Sequence, residues 1–291
     1  MPKNRPMRRR RGISMIVNSE NYFSPENEMA FLGSTQVKSF MRCEAATMAK
    51  LHGEWDTEKS TALLVGSYVD AHFEGTLDIF KAKNPALFKR DGGLKSDYEH
   101  ANTVINRIER DPLFMLFMAG GKQKIVTGEI SGVPFKAKID SFLDSGNIAS
   151  ILELYPELAD FFGFGDGAIV DLKIMKDFAP VWNPTERVSQ HFIEAWGYDY
   201  QAAIYQAVEG NDFPFFIAGA TKEKPEPDIT IFTIPQSVID TRLFEIEDTA
   251  RLYQKIKQGE IEPRRCENCA YCRATKKLDA ILDYTEVGDA E

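Results

Sequence analysis

Two aspartates and a lysine stand in runs where a folded chain would ordinarily place apolar side chains. Lys138-Ile139-Asp140 lies in one alternating run, and Ile169-Val170-Asp171-Leu172-Lys173 forms the centre of another. If the two runs are neighbouring strands, Asp140 and Asp171 converge, and carboxylates held close repel unless a cation lies between them. A hard divalent ion, Mg2+ or Mn2+, suits such an oxygen donor set. Asp171 and Lys173 are two apart, so on a strand both leave from one face, which sets the lysine beside a metal-bound water. The chemistry that uses this set is phosphodiester hydrolysis, in which the ion supplies a nucleophile and the cations offset charge growing on the phosphoryl oxygens. As a bare pattern the spacing is common. A solvated strand end with a surface ion pair is the plain alternative.

The cysteines form a second constellation. Cys266, Cys269 and Cys272 fall within seven residues, and Cys43 lies more than 200 residues upstream. That is no disulfide framework; it reads as metal ligation. C-x-x-C-x-x-C lets three thiolates wrap one face of a [4Fe–4S] cluster, with Cys43 as the remote fourth ligand. A zinc site with four thiolate ligands is the main competitor, and unmetallated thiols are the third reading. Either metal would tie the first helix to the C-terminal segment across a very long loop and so stabilise the fold. Arg264, Arg265, Arg273, Lys276 and Lys277 rim this segment, either as phosphate contacts or as ordinary solvated charge.

The elements that must position these residues can be read from periodicity. Residues 1–33 lack a clear period and are expected to form an arm with little fixed structure; its six early basic residues could touch phosphate or simply be solvated. From Ser34 the pattern is helical, with Ser34 or Thr35 as N-cap. Further helices are expected over 61–80 and 95–109, separated by Asn84-Pro85 and Asp91-Gly92-Gly93. Residues 122–130 and 133–143 read as strands joined in a hairpin at Ser131-Gly132. The stretch 152–167 suggests an insertion with a short helix, and 168–174 a central buried strand. A long helix is expected over 188–209 despite Gly197, then strands over 213–220 and 228–233. A final helix follows Pro235, with a stripe at Ile239, Leu243, Ile246, Ala250, Tyr253 and Ile256. This order predicts an α/β fold with a mixed central sheet flanked by helices. One catalytic domain over 34–275 is expected, with a tail over 276–291.

Composition adds bounds. The 291 residues are 43% hydrophobic and 27% charged, with a formal net charge of −9. Such a chain can bury its own core. The acidic balance counts mildly against indiscriminate nucleic-acid binding but is silent about local fields. No run approaches the roughly 18 apolar residues of a membrane span, and no secretory h-region follows the basic start. A cytoplasmic protein is expected.

Taken in order, the motifs resemble the PD-(D/E)XK nuclease superfamily, and within it the RecB-like branch that includes RecE-type phage and prophage exodeoxyribonucleases. Asp140 is similar to the first half-motif, with Ile139 in place of the family's proline, and Asp171 with Lys173 to the (D/E)xK half. Gly132–Asp140 resembles the strand ending in R-x-D. Gly66-Ser67-Tyr68-Val69-Asp70-Ala71-His72 resembles the early helix in which a histidine helps ligate metal. Gln201 and Tyr205 resemble the Q-x-x-x-Y helix; four apart, they share one helix face. The resemblance covers roughly residues 30–275. It implies catalytic roles for Asp140, Asp171, Lys173, Gln201 and Tyr205, and Mg2+ or Mn2+ held by His72, Asp140 and Asp171. Glu74, Glu129, His52, His100 and His191 match no motif and are placed outside the site. Some members, CRISPR-associated and AddB-type enzymes among them, carry an iron–sulfur cluster on one N-terminal and three C-terminal cysteines, so the resemblance favours [4Fe–4S] here. It further implies 5′→3′ resection of duplex DNA ends, a single-strand annealing recombinase as partner, and homo-oligomers. A single-strand or structure-specific nuclease and a catalytically silent DNA-binding scaffold are the alternatives.

Overall fold

In the computed structural model, which describes residues 16–56, 60–163, 165–183, 187–278 and 281, helices occupy the first third of the chain. They are α1 (Pro25–Ala30), α2 (Ser34–Arg42), α3 (Glu44–Leu51), α4 (Thr61–Phe73), α5 (Leu77–Lys83), α6 (Ser96–Glu109) and α7 (Pro112–Phe117). The hairpin β1 (Gly121–Ile130) and β2 (Val133–Asp144) follows, then α8 (Ser145–Leu154), α9 (Ala159–Phe162) and β3 (Gly167–Met175). A small hairpin of β4 (Val181–Asn183) and β5 (Val188–Gln190) leads through α10 (Phe192–Ala195) and α11 (Tyr198–Glu209) to β6 (Phe215–Thr221) and β7 (Ile229–Thr233). The long α12 (Gln236–Lys257) and short α13 (Ala270–Ala274) come last.

Five strands form one sheet in the order β1-β2-β3-β6-β7. Only β3 and β6 are parallel, and β4, β5, α10 and α11 form the crossover that a parallel pair requires. The β1–β2 turn is at Ser131-Gly132, where both residues take positive φ (52° and 77°), as a tight hairpin turn demands. On one sheet face Phe135, Ile139, Ile169 and Ile217 pack against α2, α11 and α12. On the other, Val170, Leu172, Phe216 and Ala218 pack against α4, α6 and α7. The result is the expected mixed sheet between helical layers.

Three boundaries differ from the sequence expectation, each for a local reason. The arm expected to lack fixed structure through residue 33 is already part of the core. Leu32 is fully buried and bridges to Phe135, Ser24 caps α1, and the first 15 residues lie outside the described ones. The helix expected over 61–80 breaks at Gly75, at φ 74°, giving α4 and α5. The helix expected from 188 begins only at Tyr198. Residues 188–190 pair with 181–183 instead, and Gly197 takes the left-handed conformation (φ 64°) rather than sitting inside the helix. The stretch 152–167 carries the end of α8 and then α9, while the tail beyond residue 281 lies outside the described residues.

A lysine locks the first helices onto the last long one. The buried Lys257 of α12 donates to the carbonyls of Glu28 and Phe31 and to Gln36 Oε1, at 2.7–2.9 Å. Three ammonium hydrogens thus meet three acceptors, so the buried charge is solvated by protein. No helix among the described residues is long and apolar enough to cross a membrane.

Candidate active site

The site begins with an irregularity in β2. Up to Ile139 the odd-numbered side chains Phe135, Ala137 and Ile139 pack on the α11 and α12 side. Past Asp140 the sides exchange: Phe142 packs on that side, and Leu143 on the opposite one. Ser141, now facing α7, donates to the Phe117 carbonyl at 2.9 Å. Across the hairpin, Gln123 has φ 53°, and the β1–β2 ladder skips the Gln123–Asp140 pair. A left-handed glutamine is an unusual conformation, and backbone strain of this kind concentrates at functional sites. Asp140 sits where the alternation reverses.

The β2–β3 register pairs Ser141 with Val170, so Asp140 and Asp171 are the next residues along their strands. Asp140 Oδ2 accepts from the Leu172 amide at 3.0 Å. Asp171 Oδ1 accepts from the Gln201 amide at 2.6 Å, and its Oδ2 meets the Lys173 ammonium in an ion pair. Close by, the buried Gln123 Oε1 has no hydrogen-bond partner among the described residues. Tyr205, one turn beyond Gln201 on α11, is buried behind them. Asp140, Asp171, Gln201 and Tyr205 thus meet in one cleft of ≈ 570 Å3, with Lys173 beside them.

Helix α4 adds two carboxylates: Asp70, which sequence reasoning passed over, and Glu74, which it placed outside the site. Asp70 and Glu74 both line the cleft, and with Gln123 and Asp140 they also line a side pocket of ≈ 10 Å3, room for about one water-sized particle. His72 is not brought there. Its Nε2 lies 2.8 Å from Glu109 Oε1, a half-exposed pair of the sort worth little. The geometry explains the exchange: two residues along a helix is about 200° of rotation, so Asp70 and His72 cannot face the same cleft, whereas Asp70 and Glu74 can. Glu129 is exposed near the opposite end of β1. Lys38 of α2 also reaches the cleft, and its ammonium lies 5.4 Å from the Tyr198 ring while that of Lys173 lies 5.3 Å from it.

The electrostatics follow from burial. Burial first, then the charge of Asp171, pushes the Asp140 carboxyl up to about 7. Burial, then Asp140, raises Asp70 well above the carboxylate range. For Lys173 burial alone would depress the ammonium, but Asp171 and Asp140 outweigh it and hold it above its ordinary value. Lys38 is lowered to about 8 by burial and by Lys173. Asp70, Glu74, Asp140 and Asp171 crowd the floor of the cleft beside Lys38 and Lys173, and an oxygen-rich cluster with the unpartnered Gln123 Oε1 at its edge fits a hard divalent cation.

A pH dependence follows. The raised carboxyls bind protons more tightly in the fold than in the unfolded chain, whose aspartates titrate near about 3.9. The stability this gives the metal-free protein is present below about pH 4 and lost as pH rises through about 7. A cation competes with those protons. In thermal melts, Mg2+ is therefore expected to raise the Tm at pH 8 and hardly at pH 5, relative to EDTA. An equal shift at both values would contradict this assignment.

The cysteines converge as expected. Cys43, Cys266, Cys269 and Cys272 bring their sulfurs within 4.8 Å of one another, with Cys43 to Cys272 at 3.6 Å and Cys266 to Cys272 at 3.9 Å. Their backbone is arranged for thiolates. Cys43 Sγ accepts from the Ala46 amide, Cys266 Sγ from Cys269 and Cys269 Sγ from Cys272, at 3.3–3.4 Å. The Cys266 thiol is drawn down to about 6, chiefly by the Asn268 amide. Four sulfurs each about 2.3 Å from one tetrahedral ion stand about 3.8 Å apart. A cubane puts each thiolate on its own iron and needs sulfurs on the order of 6 Å apart. The spacing of these four sulfurs matches the single-ion case. Glu44 braces the clip, accepting from the Arg264 amide at 2.8 Å and its guanidinium at 2.9 Å.

A mixed sheet whose adjacent central strands carry Asp140 and the Asp171-x-Lys173 pair, covered by a helix bearing Gln201, defines a PD-(D/E)XK architecture. Residues 33–151 and 159–275 match a family described as a PDDEXK-like domain of unknown function, DUF3799, and the chain belongs to that family. The crystal structure of a "Putative exonuclease" from Eubacterium rectale has a TM-score of 0.82 and 38% identity, covering 95% of this chain and 100% of its own. The crystal structure of SSO0001 covers 85% of this chain and 97% of its own at 12% identity, with a TM-score of 0.27 that is too low to inform the site. No curated protein matches the sequence significantly.

Proposed function

We propose that this protein is a metal-dependent DNA nuclease acting at strand ends. The observation that carries the reading is the convergence of Asp70, Asp140, Asp171 and Lys173 on one cleft. Asp140 and Asp171, with Asp70 in the place that the resemblance gives to His72, would hold Mg2+ or Mn2+. When bound, such an ion lowers the pKa of its water and polarises the phosphoryl oxygen. Gln201 fixes the Asp171 carboxylate through its 2.6 Å hydrogen bond. Lys173, kept protonated by Asp171 and Asp140, offsets charge building on the phosphate. Lys38, whose ammonium like that of Lys173 lies near the Tyr198 ring, supplies a second positive group.

Action at ends, with resection of duplex DNA in the 5′→3′ direction for an annealing recombinase, rests on the RecE-type resemblance; the name of the Eubacterium rectale protein agrees with exonuclease action. The thiolate clip is structural in this reading and holds one zinc ion. The test is degradation of end-labelled linear DNA against the covalently closed circle, with Mg2+ and with EDTA. Loss of the linear form alone, only with Mg2+, is expected. Equal cutting of the circle would replace end action by the structure-specific alternative, and no degradation of any DNA would remove the nuclease reading.

A further inference from the structure

Scattered exposed apolar side chains are ordinary on protein surfaces. Two that line one polar cleft above buried carboxylates are a different matter. Phe23, 73% exposed, and Leu63, 57% exposed, both line the cleft whose deeper lining includes Asp171 at 2%. Phe23 belongs to the segment before α1, and Leu63 to the first turn of α4, the helix that carries Asp70.

Phe23 lies between two anchored residues. Its neighbour Tyr22 is buried, with the Lys136 ammonium 4.5 Å from its ring and its carbonyl accepting from that ammonium. The two rings meet edge to face at 4.8 Å. On the other side, Ser24 caps α1 through the Asn27 amide. The Lys138 ammonium lies 5.9 Å from the Phe23 ring centre and lines the same cleft. An exposed aromatic face with a lysine beside it matches the pairing that single-stranded nucleic acid uses, bases stacking on rings and phosphates meeting cations. The cleft volume of ≈ 570 Å3 lies in the range that encloses one small ligand, about 300–1,000 Å3. A base held in a duplex is stacked and paired, so only a strand freed from its partner can lay a base on Phe23.

We propose that the cleft takes one DNA strand peeled from its partner, with a base stacked on Phe23 and a phosphate of that strand on Lys138. This rests on the nuclease reading of the same site and adds its substrate form. The test measures binding in EDTA, where no cutting occurs, using the full chain and a fluorescent single-stranded DNA. A second oligonucleotide has the same length, with abasic units along one end. Phe23→Ala is expected to weaken binding of the intact strand by about tenfold and leave the abasic strand unchanged, while Phe23→Trp restores it. Blunt duplex is expected to bind more weakly than the single strand. Phe23→Ala binding the intact strand like the parent, or duplex binding as tightly as single strand, would overturn the proposal whatever the activity. If the binding contrast holds but the parent degrades no DNA with Mg2+ or Mn2+, the stacking site stands and the nuclease reading falls.

Discussion

Asp171→Asn is expected to lower Mg2+-dependent DNA degradation by about 1,000-fold or more, at unchanged fold. Asparagine keeps an oxygen that can accept from Gln201, whose bond to Asp171 Oδ1 is 2.6 Å, and removes the charge that would hold the ion. Lys173 stays paired, because Asp140 also contributes to its charge balance. The reverse change is riskier. Lys173→Ala leaves a buried carboxylate uncompensated, and breaking such a pair costs about 3–5 kcal/mol. The combined Asp171→Asn, Lys173→Met variant removes both charges together and is expected to fold more stably than Lys173→Ala alone, yet to be equally inactive. Circular dichroism and thermal melts report the fold, and release of end label reports the activity. Wild-type rates in Asp171→Asn would show that the carboxylate does not serve hydrolysis. Inactivity with a lost melt would show only that the pair holds the sheet.

The same residues show what sequence can reveal. Asp140, Asp171 and Lys173 stand out because each breaks an apolar strand run and a period of two fixes which side chains share a face, and the order of the other motifs around them separates them from an ordinary strand end. Gln201 and Tyr205 are legible only through the resemblance to the Q-x-x-x-Y helix, after which four-residue spacing sets them on one face. Asp70 is hidden by its neighbour. A histidine two residues on draws the assignment, although Asp70 and Glu74, four apart, share a face that His72 leaves. The rotational phase of α4 is there to be read in Val65, Tyr68 and Val69, which are buried. The reversal of β2 at Asp140 has no such signal. It depends on a glutamine taking φ 53° across the hairpin, and no local propensity announces that. Val188-Ser189-Gln190 reads as helix because a three-residue strand carries too little pattern to compete with a long helix beside it. The thiolate spacing points correctly to metal ligation. The kind of metal does not follow from that spacing, because zinc and an iron–sulfur cluster both accept four thiolates.

The sulfur–sulfur distances lead to the second large effect. Protein purified without added metal is expected to contain about one zinc per chain, with no broad absorption near about 400 nm. The cysteines close a loop running from Cys43 to Cys266, and the two ends otherwise meet through Glu44, Arg264 and a few packed side chains. Ligation withdraws loop entropy from the unfolded chain, an effect of about 4–5 kcal/mol for loops of this class, and the ion's own affinity adds to it. Cys272 is fully buried at the centre of the cluster, so Cys272→Ser removes the ligand least able to be replaced by water. Its urea midpoint is expected to fall sharply, by several kcal/mol in stability, and chelation of the parent should produce the same fall. Applied to Cys272→Ser, the chelator should add little. Activity measured well below the melt should survive in part, because the clip adjoins the cleft at second hand, through α2, where Lys38 lines the site and Cys43 follows the last turn. About four irons and four sulfides per chain with the visible band would overturn the single-ion reading. A chelator that lowers the midpoint of parent and variant equally would show that the stability lost lies at the carboxylate cleft instead.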